Sequence, residues 1–177
     1  LDKSYRHLQY AKPGHLYLNE NFMPRAFLVS RAVTLHDRME TLKKVVSKEF
    51  DPSAMIYIEE DFEEPAASGR VSQNGPGSVE ITDYGMNDVR MTVTSPKEQW
   101  LFFSDMIYPG WKAWVDGRPV KIYRANYAFR AVRVPVGRSS VRWNYDPILF
   151  KIGIGITALT VLGLAAYFAL GFRKRRA

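Results

Sequence analysis

The stretch WKAWVDGRPVKIY, residues 111–123, decides the fold. Its first five residues, Trp111–Val115, read as a short strand, and Pro119–Ile122 form a second extended segment. Asp116–Gly117 stands between them, and this dipeptide is preferred in two-residue turns with positive φ. The stretch therefore predicts a tight antiparallel hairpin.

Similar short segments lie on both sides of this hairpin. From residue 78 onwards the chain reads VEITDYG, DVRMTVTS, QWLFFSDM, WKAWVDG, RPVKIY, FRAVRVP and SSVRWNY, with turn residues between the segments. A second hairpin is predicted from Val132–Val134 and Val141–Trp143, around a turn that contains Gly137. Seven short strands at this spacing predict a mainly β fold, an antiparallel sandwich or jelly roll over residues 78–147.

Residues 1–64 are predicted to form an α+β portion of the same outer domain. Residues 1–25 are expected to be an irregular opening segment, followed by strands at Ala26–Val29 and Met55–Glu59. One short helix is predicted over Asp37–Phe50, with Asp37 and Glu40 as a capping box. Its apolar face would comprise Met39, Leu42, Val45, Val46 and Phe50. Residues 65–77, rich in Gly, Pro, Ser and Ala, are predicted to be a loop or linker.

The C-terminal region contains a predicted transmembrane helix. Ile152–Phe172 carries no charge, and at about 1.5 Å per residue it can cross a hydrocarbon core roughly 30 Å thick. Arg173–Arg176 follow the helix, whereas only Lys151 stands directly before it. Because basic clusters stay on the cytoplasmic side, residues 1–150 are predicted to be extracytoplasmic and residues 173–177 to be a cytoplasmic tail. Trp143, Tyr145 and Phe150 are expected in the interfacial belt of the bilayer.

Charge and composition exclude several classes of function. The net charge is +7, but Lys151 and Arg173–Arg176 supply five positive charges, so the basic pI reports membrane topology and no nucleic-acid partner is predicted. The chain has no cysteine, and therefore no disulfide or thiolate chemistry. Because it begins at Leu1 without a targeting signal, we expect it to be the C-terminal piece of a longer membrane protein.

No catalytic residue, metal site or cofactor is predicted in the chain. His7, His15 and His36 have no metal-ligand or catalytic spacing, and there is no G-x-S-x-G motif, P-loop or dinucleotide fingerprint. An acidic cluster lacks the ordered spacing of a calcium loop and is expected to be a solvated loop. Its members are Glu59, Glu60, Asp61, Glu63 and Glu64.

An aromatic region is the candidate binding surface, because flat aromatic faces stack on sugar rings while neighbouring polar groups bind hydroxyls. Trp111 and Trp114 are three residues apart and so point to opposite faces of a strand. One alternative is that Trp111 only fills the core of the sandwich. The residues predicted to border a groove for a glycan or acceptor polymer are Tyr108, Trp114, Arg124, Asn126 and Tyr127.

The run YPGWKAWVDGRPVKIYRANYAFRAVRVPVGRSSVRWNYDP, followed directly by a hydrophobic helix, resembles the C-terminal end of the bacterial membrane protein YfhO family. The matching elements are Gly110–Trp111, the VDG at Val115–Gly117, the RANYAFRAV segment from Arg124 to Val132, and the PVG turn. The upstream segments MPRAFLV and FDPSAMIYIEE are also similar to that family.

The resemblance implies a large polytopic protein related to GT-C glycosyltransferases, which would glycosylate envelope polymers such as teichoic acids. Catalysis in such enzymes resides in a multi-helix membrane core that uses a polyprenyl-phosphate sugar donor. The chain would then be an outer accessory domain and the last helix, with the bilayer, the remaining membrane core and an envelope polymer as partners. The alternative is a non-enzymatic membrane-anchored domain that binds glycan or protein at the cell surface.

Overall fold

The computed structural model describes residues 5–11, 14–19, 22–62 and 77–174. It begins with a two-stranded antiparallel hairpin, β1 (Tyr5–Ala11) and β2 (Gly14–Asn19). The expectation of an irregular opening segment is therefore wrong. The register shifts between His7 and Gln9, and such a shift breaks the period-two alternation by which a strand is read from sequence. The predicted linker at 65–77 lies almost wholly outside the described residues.

Eleven further strands form two sheets. In chain order they are β3 (Ala26–Val29), β4 (Arg31–Thr34), β5 (Met55–Ile58), β6 (Ser78–Tyr84), β7 (Asp88–Ser95), β8 (Gln99–Phe103), β9 (Trp111–Val115), β10 (Arg118–Val120), β11 (Tyr123–Ala125), β12 (Phe129–Val134) and β13 (Gly137–Tyr145). One sheet has the order β10-β9-β13-β7-β6 and is antiparallel throughout. The other has the order β3-β8-β12-β11-β5-β4, in which only β4 and β5 are parallel. The predicted mainly β fold is confirmed.

The two sheets pack face to face around one core. Val89, Met91 and Trp143 enter it from the five-stranded sheet, and Phe103 and Val132 from the six-stranded sheet. The expectation that Trp143 lies in the interfacial belt is wrong, because its side chain is fully buried. The alternation along β13 points Val141 and Trp143 inward together.

The six-stranded sheet is buried on its other face as well. A second cluster there includes Ile56, Trp100 and Phe102, and Phe62 packs against it. Such double burial explains why β8, with the sequence QWLFF, is nearly continuous in apolar residues.

The predicted soluble helix is present as α1 (Arg38–Val45). Its start is confirmed, since the Glu40 N–H donates to the Asp37 carboxylate at 2.8 Å. The predicted end at Phe50 is wrong, and the predicted apolar face is only partly present, since Leu42, Val45 and Phe50 are half-buried. Met39 and Val46 are exposed, whereas Thr41 is buried and donates its hydroxyl to the Asp37 carbonyl at 2.9 Å. The helix is short and is held to the domain partly through the buried Thr41, so it does not require apolar residues along its whole length.

One predicted hairpin is confirmed and the other is wrong. Asp116 and Gly117 have φ of 50° and 75° and join β9 to β10 in a tight turn. By contrast, β12 pairs with β8 and β11, while β13 pairs with β7 and β9 in the opposite sheet. Residues 135–136 therefore cross between the sheets. A Pro–Gly signal predicts a change of direction but does not identify the strand's partner.

The last helix, α2 (Ile148–Lys174), begins three residues after the end of β13. Within the described chain it is the one helix long and apolar enough to cross a membrane, over Ile148–Tyr167, with a mean hydropathy of 2.1 and none of that segment buried. The predicted apolar helix is confirmed and starts four residues earlier than expected.

Candidate functional site at the helix-bearing end of the sandwich

The sandwich has one end at which β13 continues into α2, and we call it the junction end. It comprises the β6–β7 turn (residues 85–87), the β8–β9 connection (104–110) and residues 146–147. The Tyr145 N–H donates to the Asn87 carbonyl and the Asp146 N–H donates to the Gly110 carbonyl, both at 2.8 Å. The base of α2 is therefore bound directly by two loops of the sandwich.

Ion pairs and close packing tighten this connection. The Asp146 carboxylate lies 2.6 Å from Lys151 Nζ and 2.9 Å from Lys112 Nζ. Hydrogen bonds from Lys151 and Lys112 hold the pKa of Asp146 below its usual range. Gly110 has φ of +108°, and a Cβ at this position would lie 2.9 Å from the Pro147 Cα. Only glycine combines this backbone conformation with so close an approach.

A buried arginine organises the interior of the junction end. Arg130 is 0% exposed, and its guanidinium carbon lies 3.6 Å from the ring centroid of Trp111, 4.7 Å from that of Phe103 and 5.1 Å from that of Trp143. Its Nη2 donates to Asp105 at 3.1 Å. Nε and Nη1 have no hydrogen-bond partner among the described residues, so the aromatic faces are their main contacts. Burial lowers the pKa of Arg130 to about 10, which leaves it protonated at neutral pH.

Asp105 extends this pair into a network. Its carboxylate also accepts hydrogen bonds from Arg25 at 3.0 Å and from the Tyr84 hydroxyl at 2.9 Å. Arg25 in turn donates to the Tyr84 hydroxyl at 2.7 Å. The β8–β9 connection is thereby tied to the segment before β3 and to the end of β6. This network was not predicted from the sequence, although the alternation in FRAVRV places Arg130 on the same strand face as Val132 and Val134.

Two of the predicted binding residues lie together. Tyr108 and Trp114 line a groove of about 380 Å³ beside the junction, together with Trp111, Lys112 and Val120. Trp111 packs against the core, as one of the two interpretations of its sequence position predicted. Trp114 points to the opposite face of β9, where the Arg142 guanidinium lies 5.8 Å from its ring centroid.

The other three predicted residues lie at the β11–β12 turn. Asn126 is 4% exposed, and it accepts from the Tyr57 N–H at 2.9 Å through its side chain, so part of its amide is committed to the backbone. Arg124 faces Glu59 at 3.4 Å, and the Arg38 guanidinium lies 4.9 Å from the centroid of Tyr127. This group meets the segment that carries Tyr108 through one backbone hydrogen bond, from Ile107 to Ala128 at 2.9 Å.

Glu59 departs from the expected solvated acidic loop. Its side chain is 11% exposed, between Arg124 at 3.4 Å and Arg38 at 3.6 Å. Burial raises the pKa of Glu59 in spite of the two arginines. Asp61, at 91% side-chain exposure, fits the expectation, and Glu63 and Glu64 lie outside the described residues.

These features define a class of protein, a β-sandwich domain joined by a short, tightly bonded connection to a helix able to cross a membrane. The family model described as bacterial membrane protein YfhO matches residues 66–157, more than half of the chain, and the chain belongs to this family.

A curated relative gives the same family. It is the uncharacterized protein YfhO of Bacillus subtilis (strain 168), 26% identical to the chain over 98 residues. The match covers 55% of the chain and 11% of the relative's own length. No solved structure matches the chain.

Gly110→Ala is expected to destabilise the chain more than Gly117→Ala. Both glycines have positive φ, and a left-handed conformation costs an L-residue about 1–2 kcal/mol. A Cβ at Gly110 also meets Pro147, whereas a Cβ at Gly117 meets nothing within 4 Å. Urea unfolding in detergent, followed by tryptophan fluorescence, measures both free energies. Equal losses for the two variants would contradict a close-packed junction.

Asp105→Ala is expected to lower the free energy of unfolding by about 3 kcal/mol, because it leaves the buried Arg130 charge without its carboxylate. The double variant Asp105→Ala/Arg130→Met removes that charge and keeps an apolar side chain against the three rings. It should recover most of the loss in the same unfolding measurement. A double variant as unstable as the single one would show that the charge pair does not organise this end.

The pKa of Glu59 gives a pH dependence. A carboxyl group whose pKa is raised by folding contributes most stability below its unfolded pKa, and this contribution is lost as pH rises through the folded pKa. The stability of the wild type relative to Glu59→Gln should therefore increase as pH falls from neutral towards about 4.3, the ordinary value for glutamate. Unfolding curves at a series of pH values measure this difference. If the stability of the wild type relative to Glu59→Gln increased with rising pH, folding would not raise the pKa of Glu59.

Proposed function

We propose that the chain is the extracytoplasmic C-terminal domain and last membrane helix of a polytopic GT-C-type glycosyltransferase that acts on cell-envelope polymers such as teichoic acids. Membership of the YfhO family supports this proposal. The observation that carries it within the chain is the junction, where the base of α2 is bound by two loops of the sandwich. Catalysis would lie in membrane segments outside this chain, with a polyprenyl-phosphate sugar as donor.

The domain's role in this proposal is to hold the acceptor polymer close to the membrane, where a lipid-linked donor is used. Tyr108 at the groove and Trp114, on the face of β9 opposite to the core, offer aromatic surface for stacking on a sugar polymer. Lys112 at the groove is paired with Asp146 and Arg142 beside Trp114 is paired with Asp88, so these side chains would contribute N–H donors for sugar hydroxyls within existing ion pairs. Arg124 and Tyr127, beyond the Ile107–Ala128 hydrogen bond, would extend the contact surface.

The orientation belongs to the same proposal. Residues 1–150 lie outside the cytoplasmic membrane and Arg173–Arg176 lie in the cytoplasm, because a basic cluster after an apolar span is retained inside. Exposure to the cell surface places the groove on the side where envelope polymers are found.

Orientation is tested by cysteine labelling, because the chain has no cysteine of its own. Lys97→Cys, in the exposed β7–β8 connection, and Arg176→Cys, in the basic tail, are introduced separately into the full-length protein after removal of any cysteine elsewhere in it. A membrane-impermeant maleimide should label position 97 in intact cells and position 176 only after permeabilisation. The reverse pattern would refute the orientation.

Function is tested by sugar transfer from a polyprenyl-phosphate donor to teichoic acid, with full-length protein in membranes. Trp114→Ala should raise the KM for the polymer severalfold with little change in kcat, because the stacking face lies away from the catalytic core. Trp114→Phe retains an aromatic face and should keep most of the affinity. If Trp114→Ala left sugar transfer unchanged, the groove would not be the binding site of the acceptor polymer. Polymer binding without transfer by the full-length protein would favour the non-enzymatic surface domain.

A further inference from the structure

Exposed apolar side chains of the sandwich are concentrated at one end. Where the structure describes side chains, and apart from Met39 and Val46 at α1 and the residues of α2, the exposed large apolar or aromatic ones are Phe22, Met23, Tyr84, Met86, Met106 and Tyr108. We call these six residues the apolar rim. Single exposed apolar residues scattered over a solvent-exposed surface are normal, whereas a concentration of them at one place indicates an interaction surface.

Three members of the apolar rim, Met86, Met106 and Tyr108, lie in the segments of the junction end, and Phe22, Met23 and Tyr84 lie next to them in the chain or at the same strand ends. Met86 is in the β6–β7 turn, next to Asn87, whose carbonyl binds the Tyr145 N–H. Met106 and Tyr108 are in the β8–β9 connection, near Gly110, whose carbonyl binds the Asp146 N–H. Phe22 and Met23 precede β3, whose first residue, Ala26, is paired with Phe103 at the same strand end.

The junction leaves little room between the rim and a membrane. Only residues 146 and 147 separate β13 from α2, and the first three residues of α2 are apolar and exposed by 65%, 76% and 67%. The apolar span Ile148–Tyr167 has 20 residues, which at about 1.5 Å each match a hydrocarbon core roughly 30 Å thick. The first turn of α2 contains one charged residue, Lys151, and its ammonium group is held by Asp146 at the base of the helix.

We propose that the apolar rim is a bilayer-docking surface, which inserts into the boundary between lipid headgroups and acyl chains around the base of α2. The inference rests on the proposed function to the extent that α2 crosses the membrane. Methionine and the ring of Tyr108 suit this occupant, because the boundary accepts apolar bodies and keeps a phenolic hydroxyl at headgroup level. The hydroxyl of Tyr84 is instead bound by Arg25 and Asp105. Met86 is 95% exposed at the tip of its turn and is the most prominent member of the rim.

The cations at the junction end are engaged in ion pairs. Arg25 is paired with Asp105, and Lys112 and Lys151 are both paired with Asp146. Arg90 and Arg142 are paired with Asp88. Each carboxylate serves two cations, so a positive excess remains at this end. The six side chains of the apolar rim carry no charge, so their insertion should not require anionic lipid.

The test uses single cysteines in the 177-residue chain, each labelled with an environment-sensitive nitrobenzoxadiazole dye and reconstituted into phosphatidylcholine vesicles. Met86→Cys and Met106→Cys report on the rim. Lys97→Cys, at the opposite end of β7, is the matched exposed control, and Leu159→Cys, in the middle of the apolar span, reports insertion of α2. A spin-labelled phosphatidylcholine is the quencher.

Labels at positions 86 and 106 should be quenched severalfold more than the label at 97, and adding phosphatidylglycerol should leave this ratio unchanged. Quenching at 159 with positions 86 and 106 equal to 97 would overturn the docking surface while leaving a membrane-spanning α2 intact. No quenching at 159 would overturn the membrane-spanning helix itself. If the labels at positions 86 and 106 were protected from aqueous iodide but not quenched by the lipid, the rim would be a contact surface for protein instead of lipid. If quenching at these positions required phosphatidylglycerol, apolar insertion would be overturned.

Discussion

The guanidinium of Arg130 is the constraint on which the junction end depends. A fully buried charge is costly unless it is paired, and here one carboxylate and three aromatic rings surround it. Its partner Asp105 lies in the β8–β9 connection, two residues after Phe103, which is paired with Arg130 across the sheet. That same connection contains Gly110, which binds the base of α2, as well as Met106 and Tyr108. A single buried pair thus links the hydrophobic core to the surface next to the helix.

The consequence is a sandwich held close to the base of α2 with little freedom. There is no flexible linker at this point, because only two residues separate β13 from α2. Two backbone hydrogen bonds and the ion pairs of Asp146 with Lys112 and Lys151 hold these residues in place. A domain that positions a polymer for a membrane-embedded reaction benefits from this arrangement, because the position of its groove is then set by the helix. The apolar rim and the groove share the β8–β9 connection, so lipid docking and polymer binding would be coupled through Tyr108.

Features specified by local sequence could be predicted, and features specified by tertiary contact could not. Alternation and the Asp116–Gly117 turn were enough for the β9–β10 hairpin, and composition alone was enough for α2. The partners of β12 and β13 were mispredicted because a turn does not encode which sheet receives the next strand. In the candidate site, Tyr108 and Trp114 do share a groove, but the separation of Arg124, Asn126 and Tyr127 from them follows from pairing between β11 and β12. The role of Arg130 was not predicted, because strand alternation shows which face a side chain lies on but not which aromatic rings it contacts there.

The proposed bilayer docking depends on the Arg130–Asp105 pair, which should hold the apolar rim in the lipid boundary. Power-saturation electron paramagnetic resonance tests it with a spin label at Met106→Cys in the reconstituted chain. The label should collide more with lipid-soluble oxygen than with a water-soluble nickel chelate, and Asp105→Ala should reverse this preference while a label at Leu159→Cys keeps its depth. A label at position 106 that prefers the nickel chelate in the otherwise native chain, or that is unaffected by Asp105→Ala, would contradict the claim.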